Sequence, residues 1–267
     1  MTVSDWLRQA QANLEAAKVD TARLDCLVLL ADELDKDKGW LLSHPEYELQ
    51  GSILKILNTK VTQRATHTPL AYIPGHAEFY GRDFMVNPHT LVPRPETESI
   101  IELVKSLEPA AGTRILDIGT GSGCIAITTA LEIPNAEVSA CDIDKNCLET
   151  AQQNAQNLGA TVTFFASDLL SQATPQDILL ANLPYVPDNF QINTAATHEP
   201  RHALFGGPDG LDLYRTLFAQ LTEAGWQPQY VLAESLPFQH KALDKIAQLA
   251  DFTLHTTDGF IQLFKRQ

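Results

Sequence analysis

The amino-acid sequence predicts an α/β protein in which a small α-helical bundle precedes a doubly wound, mostly parallel β-sheet with a terminal antiparallel hairpin. Three observations predict this fold class. Apolar residues recur at helical spacing from Ser4 to about residue 65. From Thr113 onward, short apolar stretches alternate with amphipathic helical ones, as in sheets whose parallel strands are joined by helices. Two further strand candidates finish the chain with no clear helix between them, which indicates a hairpin.

The N-terminal region, residues 1–66, is predicted to form the helical bundle. Ser4 is the expected N-cap of a first helix, Asp20 or Thr21 starts a second, and a turn at Trp40-Leu41-Leu42 precedes a third. Each helix has an apolar stripe that we expect to form the core of the bundle: Trp6, Leu7, Ala10, Leu14 and Ala17; Leu24, Leu27, Val28, Ala31 and Leu34; Leu49, Ile53, Ile56, Leu57 and Val61.

Residues 67–93 are predicted to form a β-hairpin that links two domains. Pro and Gly punctuate this stretch and aromatic residues alternate between them, which favours a hairpin over a flexible tether. Pro95 is well placed at a helix start, so the second domain is expected to span residues 94–267. The three histidines of the linker are expected in turns or facing solvent: His67, His76 and His89.

Seven strands are predicted in the second domain, and the first five are short enough and apolar enough to be buried on both faces of a parallel sheet. They are Arg114–Ile118, Glu137–Cys141, Val162–Ala166, Asp177–Ala181, Tyr230–Ala233, Phe252–His255 and Phe260–Phe264.

Charge and composition exclude several classes of protein. The formal net charge is −14, and the 19 basic residues form no run, which disfavours nucleic acid as a partner. The four cysteines form no CxxC pair and are expected to be buried, reduced thiols rather than metal ligands. The N-terminus has no signal-peptide pattern, and no apolar run is long enough to span a membrane. We therefore expect a cytoplasmic protein without a metal site.

Asn182-Leu183-Pro184-Tyr185 closes the apolar run of the fourth strand. Ligands of open α/β sheets bind at the carboxyl ends of the strands, where this tetrapeptide lies. The Asn182 side-chain oxygen and the Leu183 backbone carbonyl can each accept an N–H, and Tyr185 offers a flat face for a planar group. Two acceptors beside an aromatic ring suit a planar –NH₂, such as a carboxamide or the exocyclic amine of a base. Alternatively, the tetrapeptide is only a strand end with a packed tyrosine.

The first strand runs into a glycine-rich loop, where Gly119, Gly121 and Gly123 alternate with small polar residues. Alternate glycines between a strand and a helix let a ligand approach the backbone closely. The dinucleotide fingerprint has its third Gly one place later, where this chain has Cys124. Asp117, just before the loop, suits a cationic, phosphate-free ligand better than a pyrophosphate.

Two more acidic residues follow the next two strands. Asp142 ends the second strand about 20 residues after Gly121, where an acidic residue can reach ribose hydroxyls. Asp168 follows the third strand and could accept from an adenine amine. Together these features suit S-adenosylmethionine, with its ribose on Asp142, its adenine near Ile143, Asp168 and Leu169, and its sulfonium end against the glycine loop.

The stretch Asp-Ile-Gly-Thr-Gly-Ser-Gly-Cys at 117–124 resembles motif I of the class I methyltransferases, and Asn-Leu-Pro-Tyr resembles their Asn/Asp-Pro-Pro-Tyr motif. More specifically, the chain resembles the peptide chain release factor glutamine methyltransferases, the HemK/PrmC family. Four further stretches support this likeness: Pro69-Leu-Ala-Tyr-Ile-Pro-Gly with Glu78-Phe-Tyr-Gly; Val92-Pro-Arg-Pro-Glu-Thr-Glu98; His198-Glu-Pro-Arg-His-Ala-Leu204; and Gly206-Gly-Pro-Asp-Gly-Leu-Asp-Leu-Tyr-Arg215.

The resemblance implies a class I methyltransferase fold, S-adenosylmethionine as cofactor, and methylation of the glutamine in the Gly-Gly-Gln motif of a release factor. It implies substrate recognition by the helical bundle, and we expect a monomer. The residues expected at the cofactor are Asp117, Gly119, Thr120, Gly121, Ser122, Gly123, Asp142, Ile143, Asp168, Leu169 and Asn182. Those expected at the substrate are Arg94, Glu199 and the tetrapeptide Asn182, Leu183, Pro184 and Tyr185. The four residues of the tetrapeptide are also the expected catalytic residues.

Three departures from the family pattern leave alternatives open. Leu183 stands where the family has Pro, Leu236 replaces a Gly after Glu234, and the tail at 257–261 lacks an Arg. Asn-Leu-Pro-Tyr also occurs in ribosomal-RNA adenine dimethyltransferases, so an adenine amine of RNA or DNA is an alternative acceptor. A non-enzymatic module that binds a cofactor or a translation factor is another. Arg94 and Glu199 also have two interpretations. They either hold segments of the chain together or contact the substrate where it enters the site.

Overall fold

The computed structural model describes residues 1–267, and the chain divides into two compact units. The first unit comprises residues 1–76 and 193–198, and the second comprises residues 77–192 and 199–267. No helix combines the length and the apolar character that crossing a membrane requires.

The first unit contains four helices: α1 (Val3–Ala16), α2 (Ala22–Leu34), α3 (Lys38–Ser43) and α4 (Gly51–Ala65). The N-cap of α1 is Thr2 rather than Ser4, because the Thr2 hydroxyl accepts the N–H of Asp5 at 3.2 Å. Trp40, Leu41 and Leu42 lie in α3, not in a turn, because the Asp37 carboxylate accepts the Trp40 N–H at 2.8 Å and caps the helix.

Of the fifteen residues in the predicted core stripes, seven are buried, six are half-buried and two are exposed. Leu24 is 51% exposed and Ile56 is 45% exposed. On α2, the face turned towards the core instead includes Asp25, whose carboxylate accepts the Nε–H of Arg64 from α4 at 2.6 Å. The charged Asp25 is therefore buried where the apolar pattern predicts Leu24, and its charge is neutralised by Arg64.

The predicted hairpin is formed by β1 (His76–Phe79) and β2 (Arg82–Met85), and the second unit begins within β1, at Ala77. The connecting residues Tyr80 and Gly81 both have positive φ, 53° and 71°, as a two-residue turn between right-twisted strands requires. Phe79 and Phe84 are buried in a hydrophobic core on one face of the main sheet. The hairpin is therefore packed structure rather than a free tether.

The main sheet has seven strands in the order β5-β4-β3-β6-β7-β9-β8. They are β3 (Arg114–Ile118), β4 (Glu137–Asp142), β5 (Thr163–Ala166), β6 (Ile178–Ala181), β7 (Tyr230–Glu234), β8 (Phe252–Asp258) and β9 (Ile261–Arg266). The first five pair in parallel, and β9 is antiparallel to both β7 and β8, so the predicted doubly wound sheet with a terminal hairpin is confirmed. Strand order reverses between β3 and β6, which makes their carboxyl ends the expected ligand site.

Helices cover both faces of this sheet. They are α5 (Glu98–Ser106), α6 (Cys124–Glu132), α7 (Lys145–Leu158), α8 (Arg201–Leu204), α9 (Asp212–Glu223) and α10 (His240–Gln248). Along β6, Leu179 packs in the core beneath α9 and α10, and Leu180 packs in the core beneath α5 and α6. Because both faces are covered, the apolar run of β6 is entirely buried.

Candidate active site

A cavity of about 300 Å³ lies at the carboxyl ends of β3, β4 and β6. Twelve of the residues expected at the cofactor or substrate line it: Arg94, Gly119, Thr120, Gly121, Ser122, Asp142, Ile143, Asp168, Leu169, Asn182, Leu183 and Pro184. Four others are not among its lining residues: Asp117, Gly123, Tyr185 and Glu199.

The glycine-rich loop forms one wall of the cavity, but its last glycine has a packing role. Gly123 has a φ of 82°, and a Cβ added there would lie 2.8 Å from Ile127 Cδ1 and 2.9 Å from Ala151 Cβ. Any side chain would therefore separate α6 from α7. Gly123 brings the two helices together, whereas Gly119 and Gly121 lie on the cavity wall.

Asp117 lies beneath the loop and is fully buried. Its Oδ2 accepts the hydroxyl of Thr120 at 2.6 Å and the N–H of Ala126 at 3.2 Å, while its Oδ1 has no hydrogen-bond partner. Burial raises the pKa of this carboxyl to about 7, against the opposing effect of both hydrogen bonds. The structure thus places Asp117 as a support for the loop rather than on the cavity surface.

Asp142 projects from the end of β4 into the cavity wall. Its Oδ2 accepts the N–H of Gly121 and its Oδ1 accepts the N–H of Asp144, both at 2.9 Å. Burial raises the pKa of Asp142, and the two backbone hydrogen bonds oppose the rise. Since an ionised carboxylate has about four lone-pair sites, each oxygen can still accept one more hydrogen bond.

The residues beside Asp142 give the cavity an apolar flank with a polar edge. Ile143 is 68% exposed although it is aliphatic, and Leu169 is buried with a positive φ of 49°. Asp168 is exposed next to Leu169. An exposed isoleucine against a buried leucine leaves a slot suited to a flat apolar group, with a carboxylate at its rim.

Asn182 is held in one orientation by a residue from a distant segment. Its Nδ2 donates to the hydroxyl oxygen of Thr97, which precedes α5, at 3.1 Å. With Nδ2 engaged, Oδ1 is the atom left to accept a hydrogen bond from a ligand in the cavity.

Leu183 is buried, and its N–H donates to the phenol oxygen of Tyr214 at 3.4 Å. The Tyr214 hydroxyl lies 2.6 Å from the carbonyl oxygen of Glu234 and 3.0 Å from that of Ala181. A single buried tyrosine therefore bonds the ends of β6 and β7 together beneath the tetrapeptide.

Tyr185 makes its polar contacts with residues that do not line the cavity. Its hydroxyl donates to Glu234 Oε1 at 2.8 Å, and its backbone carbonyl accepts from Gln239 Nε2 at 2.8 Å. Burial raises the pKa of Tyr185, and the neighbouring Glu234 carboxylate raises it further. Tyr185 thus braces the loop, and its ring does not line the cavity.

Arg94 and Glu199 form an ion pair at the edge of the cavity. Glu199 is buried, and its second oxygen accepts the N–H of Val92 at 3.1 Å. Arg94 lines the cavity with part of its side chain exposed, whereas Glu199 does not line it. Glu199 therefore ties the segment before α5 to the start of α8, and its partner Arg94 faces the cavity.

Comparison with known proteins identifies the family. Residues 5–75 match the family model described as the PrmC N-terminal domain, and residues 100–201 match the methyltransferase small domain. The release factor glutamine methyltransferase of Koribacter versatilis is 41% identical over 238 residues, which cover 85% of each chain. That of Moorella thermoacetica is 40% identical over 224 residues, covering 81% of this chain and 79% of the relative. The chain belongs to the release factor glutamine methyltransferase family.

Solved structures support the fold of this release factor glutamine methyltransferase family member. The catalytic domain of hMettl16 in complex with MAT2A 3′UTR hairpin 1 aligns with a TM-score of 0.56 at 14% identity, covering 83% of this chain and 82% of that chain. The ribosomal protein L11 methylase of Lactobacillus delbrueckii subsp. bulgaricus aligns with a TM-score of 0.50 at 17% identity, covering 68% and 84%. At these identities the likeness concerns the fold alone.

Several residues that line the cavity of this protein were not predicted from its sequence. His89, Leu91, His202, Ala203 and Leu213 all line it. His89 was expected in a turn or facing solvent, and it is exposed. His202 lies in the short helix α8, which begins at Arg201, and no local spacing in the sequence marks it as a cavity residue.

The four cysteines Cys26, Cys124, Cys141 and Cys147 are free and buried, as predicted. Burial raises the pKa of each thiol to about 12, which keeps it protonated and unreactive at neutral pH. No group of three or more His, Cys, Asp or Glu side chains is arranged to hold a metal ion.

Proposed function

We propose that this protein transfers the methyl group of S-adenosylmethionine to the side-chain amide nitrogen of a glutamine in a peptide chain release factor. The glutamine is that of the Gly-Gly-Gln motif. The observation that supports this most directly is the Asn182 amide, whose nitrogen is engaged by Thr97 and whose oxygen is left for a ligand in the cavity. The names of the related proteins support the same substrate.

The cavity residues fit S-adenosylmethionine. Asp142 has one free acceptor position on each oxygen, which matches the two adjacent hydroxyls of a ribose. Ile143 and Leu169 offer apolar contact to the adenine, and Asp168 can accept from its amine. Gly119, Thr120, Gly121 and Ser122 also line the cavity and would bind the amino-acid end. The bound cofactor supplies an electrophilic methyl group on a positively charged sulfur.

The remaining residues act on the substrate nitrogen. An amide nitrogen is a weak nucleophile because its lone pair is delocalised into the carbonyl. Asn182 Oδ1 and the Leu183 carbonyl would accept its two N–H bonds, orient the nitrogen and stabilise the positive charge that develops on it. Because position 183 acts through its backbone, Leu can replace the Pro of the family without loss of this contact.

The substrate's surroundings follow from the same geometry. Pro184 lines the cavity beside the two acceptors, Tyr185 braces them from behind, and the Arg94–Glu199 pair lies at the edge where a protein loop would enter. We propose that the enzyme acts as a monomer. Since its substrate is a translation factor, we propose that it acts in the cytoplasm.

A transfer assay with labelled S-adenosylmethionine tests the assignment. The protein should label a release factor, should not label the same factor with its motif glutamine replaced by glutamate, and should not label unmodified ribosomal RNA. Labelling of the RNA alone would establish the adenine alternative, which the net charge of −14 disfavours. Absence of labelling on every substrate, with S-adenosylmethionine still bound, would establish the non-enzymatic alternative.

A further inference from the structure

Two phenylalanine rings stack against each other on the surface of the second unit. Phe190 lies in the loop that follows β6, and Phe238 lies in the short helical turn Pro237–Gln239 that follows β7. The ring centroids are 6.0 Å apart, with an angle of 24° between the ring planes. Phe190 is 44% exposed and Phe238 is 63% exposed. The two rings therefore form one exposed apolar surface, the Phe190–Phe238 pair.

The topology of the sheet places this pair at the same edge as the cavity. β6 and β7 are parallel neighbours, with Ala181 opposite Ala233. Because β6 ends at Ala181 and β7 ends at Glu234, the two segments that carry the rings both leave the carboxyl edge of the sheet. The cavity lies at this edge too, at the ends of β3, β4 and β6, where open α/β sheets bind their ligands.

Gln239 fixes the pair to the substrate-binding loop. Its side chain is buried, and its Nε2 donates to the carbonyl oxygen of Tyr185 at 2.8 Å and to that of Asp209 at 2.7 Å. Both protons of the amide are thus used, which gives Gln239 one well-defined position. Tyr185 directly follows Pro184, which lines the cavity, and Phe238 directly precedes Gln239. The pair is therefore held in place next to the loop that carries the two substrate acceptors.

Exposed aromatic side chains that are grouped and ordered are typical of protein interfaces. Aromatic residues are enriched at the centres of interfaces, and their truncation is among the changes that weaken binding most. Single apolar residues scattered over a surface have no such meaning, but two stacked rings beside a ligand cavity are neither single nor scattered. Because the pair is already ordered by Gln239, a partner that covers it gains apolar contact with little loss of side-chain entropy.

We propose that the Phe190–Phe238 pair is a docking surface for the release factor and contacts an apolar side chain of the factor close to the glutamine that is methylated. The identity of this partner rests on the proposed function. The surface is continuous with the substrate-binding loop, so a protein whose glutamine reaches the cavity must pass over it. The net charge of −14 opposes a nucleic acid, whose bases would also stack on aromatic rings.

Binding and methylation assays with a full-length release factor test this proposal. Phe190→Ser and Phe238→Ser should each weaken binding of the factor by about tenfold, measured with S-adenosylhomocysteine present, and should raise the KM of the factor to a similar extent. Because neither ring lines the cavity, kcat at saturating factor and calorimetric affinity for S-adenosylmethionine should stay native. Phe238→Tyr keeps the aromatic ring and should retain native binding of the factor.

Leu249→Ser is the matched control, because it removes another exposed apolar side chain from the same unit. Leu249 is 86% exposed and follows the nine-residue helix α10, which begins beside Phe238 and spans about 14 Å. This variant should bind the factor as the native protein does. Equal weakening by Leu249→Ser would overturn the proposal, and so would native binding in both phenylalanine variants. A fall in kcat with native KM would also overturn it, because the pair would then only support the loop.

The same assays distinguish the partner from its alternatives. A native dimer that Phe238→Ser dissociates in sedimentation would assign the pair to a second copy of this chain, and ribosomal-RNA binding that both phenylalanine variants lose would assign it to nucleic acid. Either result would overturn the proposal. A native protein that binds a release factor without methylating it would instead overturn the proposed function, while the binding assay would still decide the role of the pair.

Discussion

Replacing Asp142 with alanine tests whether one carboxylate binds the ribose of the cofactor. In the native structure, each Asp142 oxygen accepts one backbone N–H, from Gly121 or from Asp144, and has one acceptor position left. The substitution removes both free positions together with the negative charge. It also removes the acceptor that orders the Gly121 N–H, so any loss of order in the loop would weaken binding further.

The size of the effect follows from the number of hydrogen bonds lost. A hydrogen bond to a charged group contributes roughly 1.5–3 kcal/mol. Loss of one such bond weakens binding by roughly 10- to 150-fold, since each 1.4 kcal/mol corresponds to about tenfold in affinity. Two bonds to one group are not additive, so we expect Asp142→Ala to weaken S-adenosylmethionine binding by about tenfold or more.

Calorimetric titration of the native protein and two variants provides the measurement. Asp144→Ala is the matched control. It also removes one negative charge, two residues from Asp142, but the Asp144 side chain does not line the cavity. Asp144 caps α7 by accepting the Asn146 N–H at 2.8 Å, so the control should lose about 1 kcal/mol of stability and keep its affinity. Circular dichroism verifies that both variants fold. Native affinity in Asp142→Ala would exclude Asp142 from the site, and an equal loss in Asp144→Ala would attribute the effect to net charge.

Three further changes test other parts of the site. Asn182→Ala removes an acceptor used as charge develops, so kcat at saturating substrates should fall on the order of 10²-fold with cofactor affinity retained; retained kcat would refute its role. Leu183→Pro loses the long 3.4 Å bond to Tyr214 and part of a buried side chain, so thermal melting must be measured alongside; it keeps the backbone carbonyl, so glutamine methylation should stay intact or rise. Loss of an RNA activity that the native protein shows would instead indicate a pocket adapted to a base. Asp117→Asn should change how stability depends on pH. The folded-state pKa of Asp117, about 7, exceeds the ordinary aspartate pKa of 3.8, so native stability should fall as pH rises between these values. Urea unfolding should show the Asn variant more stable than the native protein at about pH 8 and nearly equal at about pH 4; an equal difference at both would contradict the burial argument.

The sequence by itself determined the sheet and most of the cavity wall. A strand covered on both faces must be apolar along its whole length, so Ile178–Ala181 was identifiable without tertiary information. Carboxyl ends of parallel strands meet at one edge, so the loop at 119–122, Asp142 and Asn182 could be assigned to one site from their positions after successive strands. These are local patterns combined with a single rule of topology.

Helix boundaries and buried faces in the first unit depended on partners far along the chain. The sequence pattern placed Leu24 on the core face of α2, yet the structure exposes it and buries Asp25. The reason is Arg64, which lies 39 residues away and pairs with Asp25. A prediction from apolar periodicity cannot identify a buried charged residue whose charge is neutralised by an oppositely charged residue far along the chain.

Tertiary structure alone decided what each polar side chain near the cavity does. Asp117 and Tyr185 were expected to meet the ligands, but burial and hydrogen bonding turn them to the support of the loop. Thr97 lies 85 residues from Asn182, and Glu234 lies 49 residues from Tyr185, so no local spacing links them. A hydrogen bond requires donor and acceptor within about 3 Å in a suitable direction, and only the folded backbone brings such distant residues together.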